Sequence, residues 1–219
     1  MNKTLPLLLL IAAAPAAAIS PPAQTQITCP VGGEEFWATM HDSAPEYQIC
    51  PGNKLVFKTA KYGKFTPDEL ARYQKIISSK AYRSLPANAD LEVYLPVFAE
   101  QSGQYSPAAV GWLYFLAANG NRDLSPAVRK RLSTQAFSFL NKAVRDNTTD
   151  PRDLQSARYA LAGMYRISGD FARAETLLRQ LLQQNLDPAD RAAAQYVLES
   201  VRLKESGHIP PAFHRPQMP

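Results

Sequence analysis

Between Arg158 and Leu181 two helical periods are joined by a Gly-Asp turn, and few folds accommodate that arrangement. Leu161, Ala162 and Tyr165 fall on one face of the first segment, at i, i+1 and i+4. Gly169-Asp170 then breaks the period, because glycine takes the left-handed conformation that a tight helix–helix turn requires. Phe171, Ala174, Leu178 and Leu181 follow at i, i+3, i+7 and i+10, a single apolar stripe on a second helix. Ala162 and Ala174 are small enough to let the two helices approach closely, while Tyr165 and Phe171 fill the space beside the turn. Each stripe must be buried against another element, so the stretch specifies a hairpin that packs on its neighbours.

This constellation resembles a tetratricopeptide repeat, in which small residues and aromatics recur at fixed places over about 34 residues. Leu161, Ala162, Tyr165, Gly169, Phe171, Ala174, Leu178 and Leu181 match the family's pattern. Arg158 departs from it, standing where the family usually has an aromatic, and Pro188 closes the unit slightly late. Trp112 to Ala118, followed by Ala136, Phe137, Leu140 and Ala143, has similar ingredients with a longer connection around Asn119 to Ser125. Ala192 to Leu198 resembles a first helix without its partner, the usual form of a cap. The resemblance implies a short stack whose first helices line a groove for extended peptides or partner helices. By helical phase Tyr159 and Arg166 lie off the packed face and are expected to face that groove.

The rest of the chain divides by composition. Thr66-Pro67-Asp68-Glu69 reads as a helix start: an N-cap, a proline at the first helical position and acidic residues near the positive end of the dipole. Ser106-Pro107, Ser125-Pro126 and Asp187-Pro188 repeat the signal. Helices are expected over 67–80, 89–101, 106–119, 126–146, 152–168, 171–184 and 189–205, the second kinked or split at Pro96. Upstream, Ser20 to Thr28 reads as an extended leader. Glu35 to Met40, Tyr47 to Ile49 and Lys54 to Lys58 read as strands of a two- or three-stranded ribbon, separated by Gly, Pro and Asp-Ser turns. From Gly207 the sequence is proline-dense and expected to be extended or disordered. The expected fold class is mainly α, a short tetratricopeptide-like hairpin stack preceded by a small β ribbon with a disulfide. Its parts are a signal segment (1–18), leader and ribbon (19–65), helical domain (66–206) and tail (207–219).

The first residues bear on the compartment. Lys3, the apolar run Leu5 to Ala14 and Ala16-Ala17-Ala18 read as a bacterial-type signal peptide, cleaved to leave an N-terminus near Ile19. The apolar run is shorter than the ~20 residues of a spanning helix, and no other segment is apolar enough to span a membrane, so no transmembrane segment is expected after cleavage. The expected location is periplasmic or secreted. There an even pair of cysteines, Cys29 and Cys50, is most simply a disulfide. The net charge is +5, of which Lys3 supplies one. No basic stripe with interleaved aromatics appears, so nucleic acid is not an expected partner.

Cys29-Pro-Val-Gly32-Gly33 and Cys50-Pro-Gly-Asn53 each resemble a C-P-x-C-G zinc knuckle whose second cysteine is replaced, by Gly32 and by Asn53. A degenerate paired-knuckle ribbon ahead of tetratricopeptide-like helices is similar to a bacterial family of unknown function, which implies architecture but no activity or ligand. A competing reading keeps a metal on Cys29, Cys50 and His41, with Asp42 as a further ligand. His41-Asp42-Ser43 holds the residue types of a hydrolytic triad, but consecutive side chains cannot form its relay. Phosphate-binding glycine loops, nucleophile elbows and H-E-x-x-H helices are absent from the sequence. The expectation is an exported, non-enzymatic scaffold or adaptor without a cofactor, binding a protein or peptide of the cell envelope. A zinc-binding protein and a hydrolase with a site assembled from distant positions are the alternatives.

Overall fold

The computed structural model describes residues 24–40, 46–121, 123–146 and 150–206. The signal segment, the tail 207–219 and the triplet His41, Asp42 and Ser43 lie outside the described residues.

Two antiparallel hairpins open the described chain. Strand β1 (Gln24–Thr28) pairs with β2 (Glu35–Thr39), Gln24 opposite Thr39 and Thr28 opposite Glu35. Strand β3 (Tyr47–Ile49) pairs with β4 (Val56–Lys58), Tyr47 opposite Lys58. Among the described residues the ribbon therefore has four strands in two separate sheets, and the second half of the expected leader is β1. Only Ile27 of β1 points into the core. One inward apolar residue among glutamines and threonines leaves no alternation to read.

The helices are α1 (Pro67–Ser78), α2 (Lys80–Arg83), α3 (Leu91–Ser102), α4 (Pro107–Gly120), α5 (Pro126–Asp146), α6 (Pro151–Ile167), α7 (Phe171–Leu182) and α8 (Pro188–Arg202). Their starts follow the capping chemistry. The Thr66 hydroxyl accepts from the Glu69 N–H while the Glu69 carboxylate accepts from the Thr66 N–H, which satisfies two orphan donors reciprocally. Ser106, Asp150, Asp170 and Asp187 cap α4, α6, α7 and α8 by accepting a single backbone N–H of the first turn. One expectation is corrected and one is narrowed. The first helix is divided, because Ser79 adopts an extended conformation that ends α1, and its hydroxyl accepts from the Tyr82 N–H to start α2. Pro96 does not split α3, which runs continuously through it. Near the start of a helix the missing donor forfeits a single bond.

Helix α4 is the centre of the helical part. Residues 107–118 carry no charge, and ten of its residues are buried around its whole circumference, as befits a helix surrounded on all sides. It packs on α3, α5 and α6; α6 packs on α7 and α5, and α7 on α8. The ribbon joins this assembly through α3, which meets β3 and β4. Phe57, Phe65, Tyr73 and Phe98 form a line of ring contacts at 6.0, 5.9 and 5.5 Å from strand to helix. The Tyr82 hydroxyl donates to the Lys54 carbonyl at 2.7 Å, and Tyr47 and Tyr105 share a hydrogen bond at 2.9 Å. One continuous cluster of buried side chains extends from Ile27 to Val201. Among the described residues no helix is long and apolar enough to cross a membrane.

Candidate functional site

The α6–α7 hairpin closes as its turn sequence requires. Gly169 has φ +82°, the Asp170 N–H bonds the Tyr165 carbonyl at 2.9 Å, and the Gly169 N–H bonds that of Arg166 at 3.1 Å. This paired arrangement satisfies the last carbonyls of α6. Leu161, Ala162, Ala174, Leu178 and Leu181 are buried, with Phe171 partly buried beside them. Tyr165 also reaches sideways, meeting Phe137 of α5 edge to face at 5.3 Å, with the Arg173 guanidinium 5.5 Å from its ring.

Tyr159 and Arg166 do not line an open surface. They are 2% and 3% exposed, and with Asp153 (4%) and Ser156 they form a buried polar line along α6. Helix α8 meets α6 here. Burial pushes the Tyr159 phenol up to about 12, with Asp190 of α8 adding to the rise and Arg166 opposing it. Burial also draws the Arg166 guanidinium below its ordinary value. Its Nη1 donates to the Glu205 carbonyl at 2.6 Å, just beyond the end of α8. At the other end Asp153 accepts from the Ser106 hydroxyl at 2.7 Å. The expected groove positions therefore form a seam between α6 and α8. Helical phase within α6 identifies which residues leave the hairpin's own core, but not what a later helix lays over them.

The seam opens into a cleft of about 950 Å³ where the starts of α6 and α8 and the loop between α7 and α8 converge. Arg152, Gln155, Arg158, Asn185, Asp187 and Asp190 are among its walls. Arg158 is the unusual member. Its Nε is buried and, among the described residues, has no hydrogen-bond partner, and loss of solvent is the sole cause lowering its pKa. A guanidinium with an unused donor, partly withdrawn from water, is a receptor for a carboxylate or another oxyanion. Its signal in the sequence was its departure from the repeat pattern.

The two cysteine turns face each other. Cys29 and Cys50 form a disulfide with Cα atoms 5.9 Å apart, and no cysteine is free. The zinc reading on Cys29, Cys50 and His41 thus has no thiolate to offer. Gly32 and Asn53, in the places of the missing cysteines, are also opposed: a Cβ on Gly32 would lie 3.1 Å from Asn53 Nδ2. That amide donates to the Val31 carbonyl at 2.5 Å and its oxygen accepts from the Leu55 N–H at 2.9 Å. The Asn53–Val31 hydrogen bond joins the turns at that point, and the Leu55 bond fixes the amide within its own turn.

No protein-family model, curated protein or solved structure matches the chain.

Proposed function

We propose that this chain is an exported, non-enzymatic interaction module of the periplasm or secreted space, tetratricopeptide-like in its helical part. It holds an extended segment of another envelope protein where α6 and α8 meet. The observation that carries this reading is Arg158, a cation with a buried, unused donor in the wall of the cleft between the starts of α6 and α8. Keeping that buried Nε donor without a partner costs stability, and that cost is understandable if a carboxylate of a bound polypeptide supplies the partner. The disulfide supports export, since such bonds persist in oxidising compartments.

The test uses protein purified from the exported fraction, with an N-terminus near Ile19. Partners captured by cross-linking are identified by mass spectrometry, and the contacting peptide is titrated against wild type and Arg158→Met. A charge-assisted hydrogen bond contributes about 1.5–3 kcal/mol, so the variant should bind at least ~10-fold more weakly while its melting temperature holds or rises. Equal affinity for both proteins would remove the proposal's basis.

A further inference from the structure

Helix α5 buries Leu132, Ala136, Leu140 and Ala143. Beside that stripe Lys130, Ser133, Thr134 and Phe137 follow at i, i+3, i+4 and i+7, a second face along the same helix. Met164, Ile167 and Ser168 repeat the spacing at the end of α6. These two faces and Asn119 of α4 line a slot of about 370 Å³, which shares no residue with the cleft at the starts of α6 and α8. Its size falls within the range of small-molecule sites, which begins at about 300 Å³. Phe137 and Ile167 are 37% and 42% exposed in it, and Met164 is partly buried. Tyr165 holds the Phe137 ring edge to face at 5.3 Å. Two large apolar side chains left in water at one slot favour an apolar occupant.

Charge selects the kind of occupant. No acidic residue lines the slot, and Lys130 alone among its walls carries a charge. The neighbours of Lys130 are engaged elsewhere. Arg129 donates to the Ala118 and Asn121 carbonyls at 2.5 and 2.9 Å, and Arg131 donates to the Ser84 hydroxyl at 2.7 Å. Lys130 is exposed, and among the described residues its ammonium makes no ion pair. The carbonyl ends of α4 and α6 would attract a cation, but both are closed from within. Arg129 covers the Ala118 carbonyl, the Asn119 amide donates to the Phe115 carbonyl, and the Gly169 and Asp170 N–H groups cover the end of α6. The slot therefore offers an anion one partner and a cation none.

From Lys130 to Phe137 helix α5 rises about 10.5 Å, the length of an extended alkyl chain of about eight to ten carbons. We propose that this slot binds a free single-chain alkyl carboxylate of that length, its head group paired with Lys130 and its chain over Met164, Ile167 and Phe137. One apolar slot with one cation matches one chain with one head group. The site is separate from the polypeptide-binding reading and shares none of its residues.

The probe is decanoate, kept below its micelle concentration and titrated into the full exported chain. Calorimetry gives the affinity, and the methyl resonance of Met164, assigned with Met164→Leu, reports the site. Expected are one decanoate per chain and a Met164 methyl that shifts to saturation. A groove covering about half of the chain contributes about 2-fold per methylene, so octanoate should bind about 4-fold more weakly. Decyltrimethylammonium, with the same chain and the opposite charge, should bind at least ~10-fold more weakly than decanoate. Lys130→Glu should reverse that preference with the melting temperature unchanged, which loss of a structural contact would not do. A Met164 methyl unmoved by decanoate would overturn the site. Equal affinity for the two head groups would overturn the carboxylate, because any apolar anchor, such as a partner's leucine side chain, would then serve. Arg158→Met should leave every value in place; a weaker decanoate there would put the ligand in the other cleft and defeat this assignment while leaving the polypeptide reading intact.

Discussion

At the scale of single residues, the tightest constraint in the helical part is the closeness of α4 and α5 at Gly111. A Cβ there would lie 2.8 Å from Leu140 Cγ and 2.9 Å from the Leu140 backbone nitrogen. The side chain could rotate away, but the nitrogen belongs to the hydrogen-bond ladder of α5, so the helices themselves would have to separate. Overpacking of this kind costs about 1–3 kcal/mol, against which alanine's better helix propensity returns at most ~1 kcal/mol. Gly111→Ala should lower the urea midpoint without changing the slope. Gly120 in the same helix is the matched control: an added Cβ would meet only Glu92, at 3.8 Å, and Gly120→Ala should be neutral or mildly stabilising. Equal effects at the two sites would mean that α4 and α5 are not in this close contact.

Among the elements, the β ribbon depends most on a covalent bond. Its strands are three to five residues long, and pairs so short hold poorly in isolation. Cys29–Cys50 closes a loop over a separation of 21 residues, worth about 3 kcal/mol in the chain-entropy view. The Gly52 N–H to Glu34 carboxylate bond at 2.6 Å adds a weaker clasp between the same turns. Leu55, Val56 and Phe57 are fully buried and attach the ribbon to the helices. Replacing both cysteines by serine should lower the melting temperature by roughly 6–12 °C while native helical ellipticity persists; an unchanged melting temperature would show that the cross-link adds nothing. The elements also show what the sequence could disclose. Helix starts were legible because a Ser, Thr or Asp before proline fixes cap and φ together, and Asp150-Pro151 places α6 one residue earlier on the same logic. The disulfide was legible from an even cysteine count together with the expectation of a signal segment at 1–18. Strand β1 was not, since its outward face is polar and its inward face is one isoleucine. The fate of Tyr159 and Arg166 was hidden for a different reason. Their burial arises from α8 and the chain beyond it, some 30 to 45 residues downstream, and no local period carries that information.

Over the whole molecule, tyrosine hydroxyls tie the ribbon to the helices and helical segments to one another. Tyr82 accepts from the Val56 N–H and donates to the Lys54 carbonyl, Tyr47 pairs with Tyr105, Tyr94 donates to the Pro86 carbonyl and Tyr114 to Glu100. Burial is the leading cause that raises the pKa of Tyr47, Tyr73, Tyr82, Tyr94, Tyr105, Tyr114 and Tyr159 above the ordinary phenol value. The consequence for stability has a definite sign. Above about pH 10 an unfolded chain releases phenolic protons that the folded chain retains, so the native state binds more protons and stability falls as pH rises. Below that range the contribution is complete. Because these phenols are spread over the strands, α1, α2, α3, α4 and α6 within one continuous core, their ionisation should not proceed site by site. Tyrosinate absorbance from the seven should appear in one cooperative step at alkaline pH, coincident with loss of helical ellipticity and steeper than a single-proton titration. The same step should release the ribbon, read as sudden reducibility of the Cys29–Cys50 bond. Ionisation of these seven near the ordinary value with ellipticity intact would mean that the phenols are in water. Two separated steps, reducibility before loss of helix, would mean that the ribbon and the helical part unfold independently in spite of their shared core.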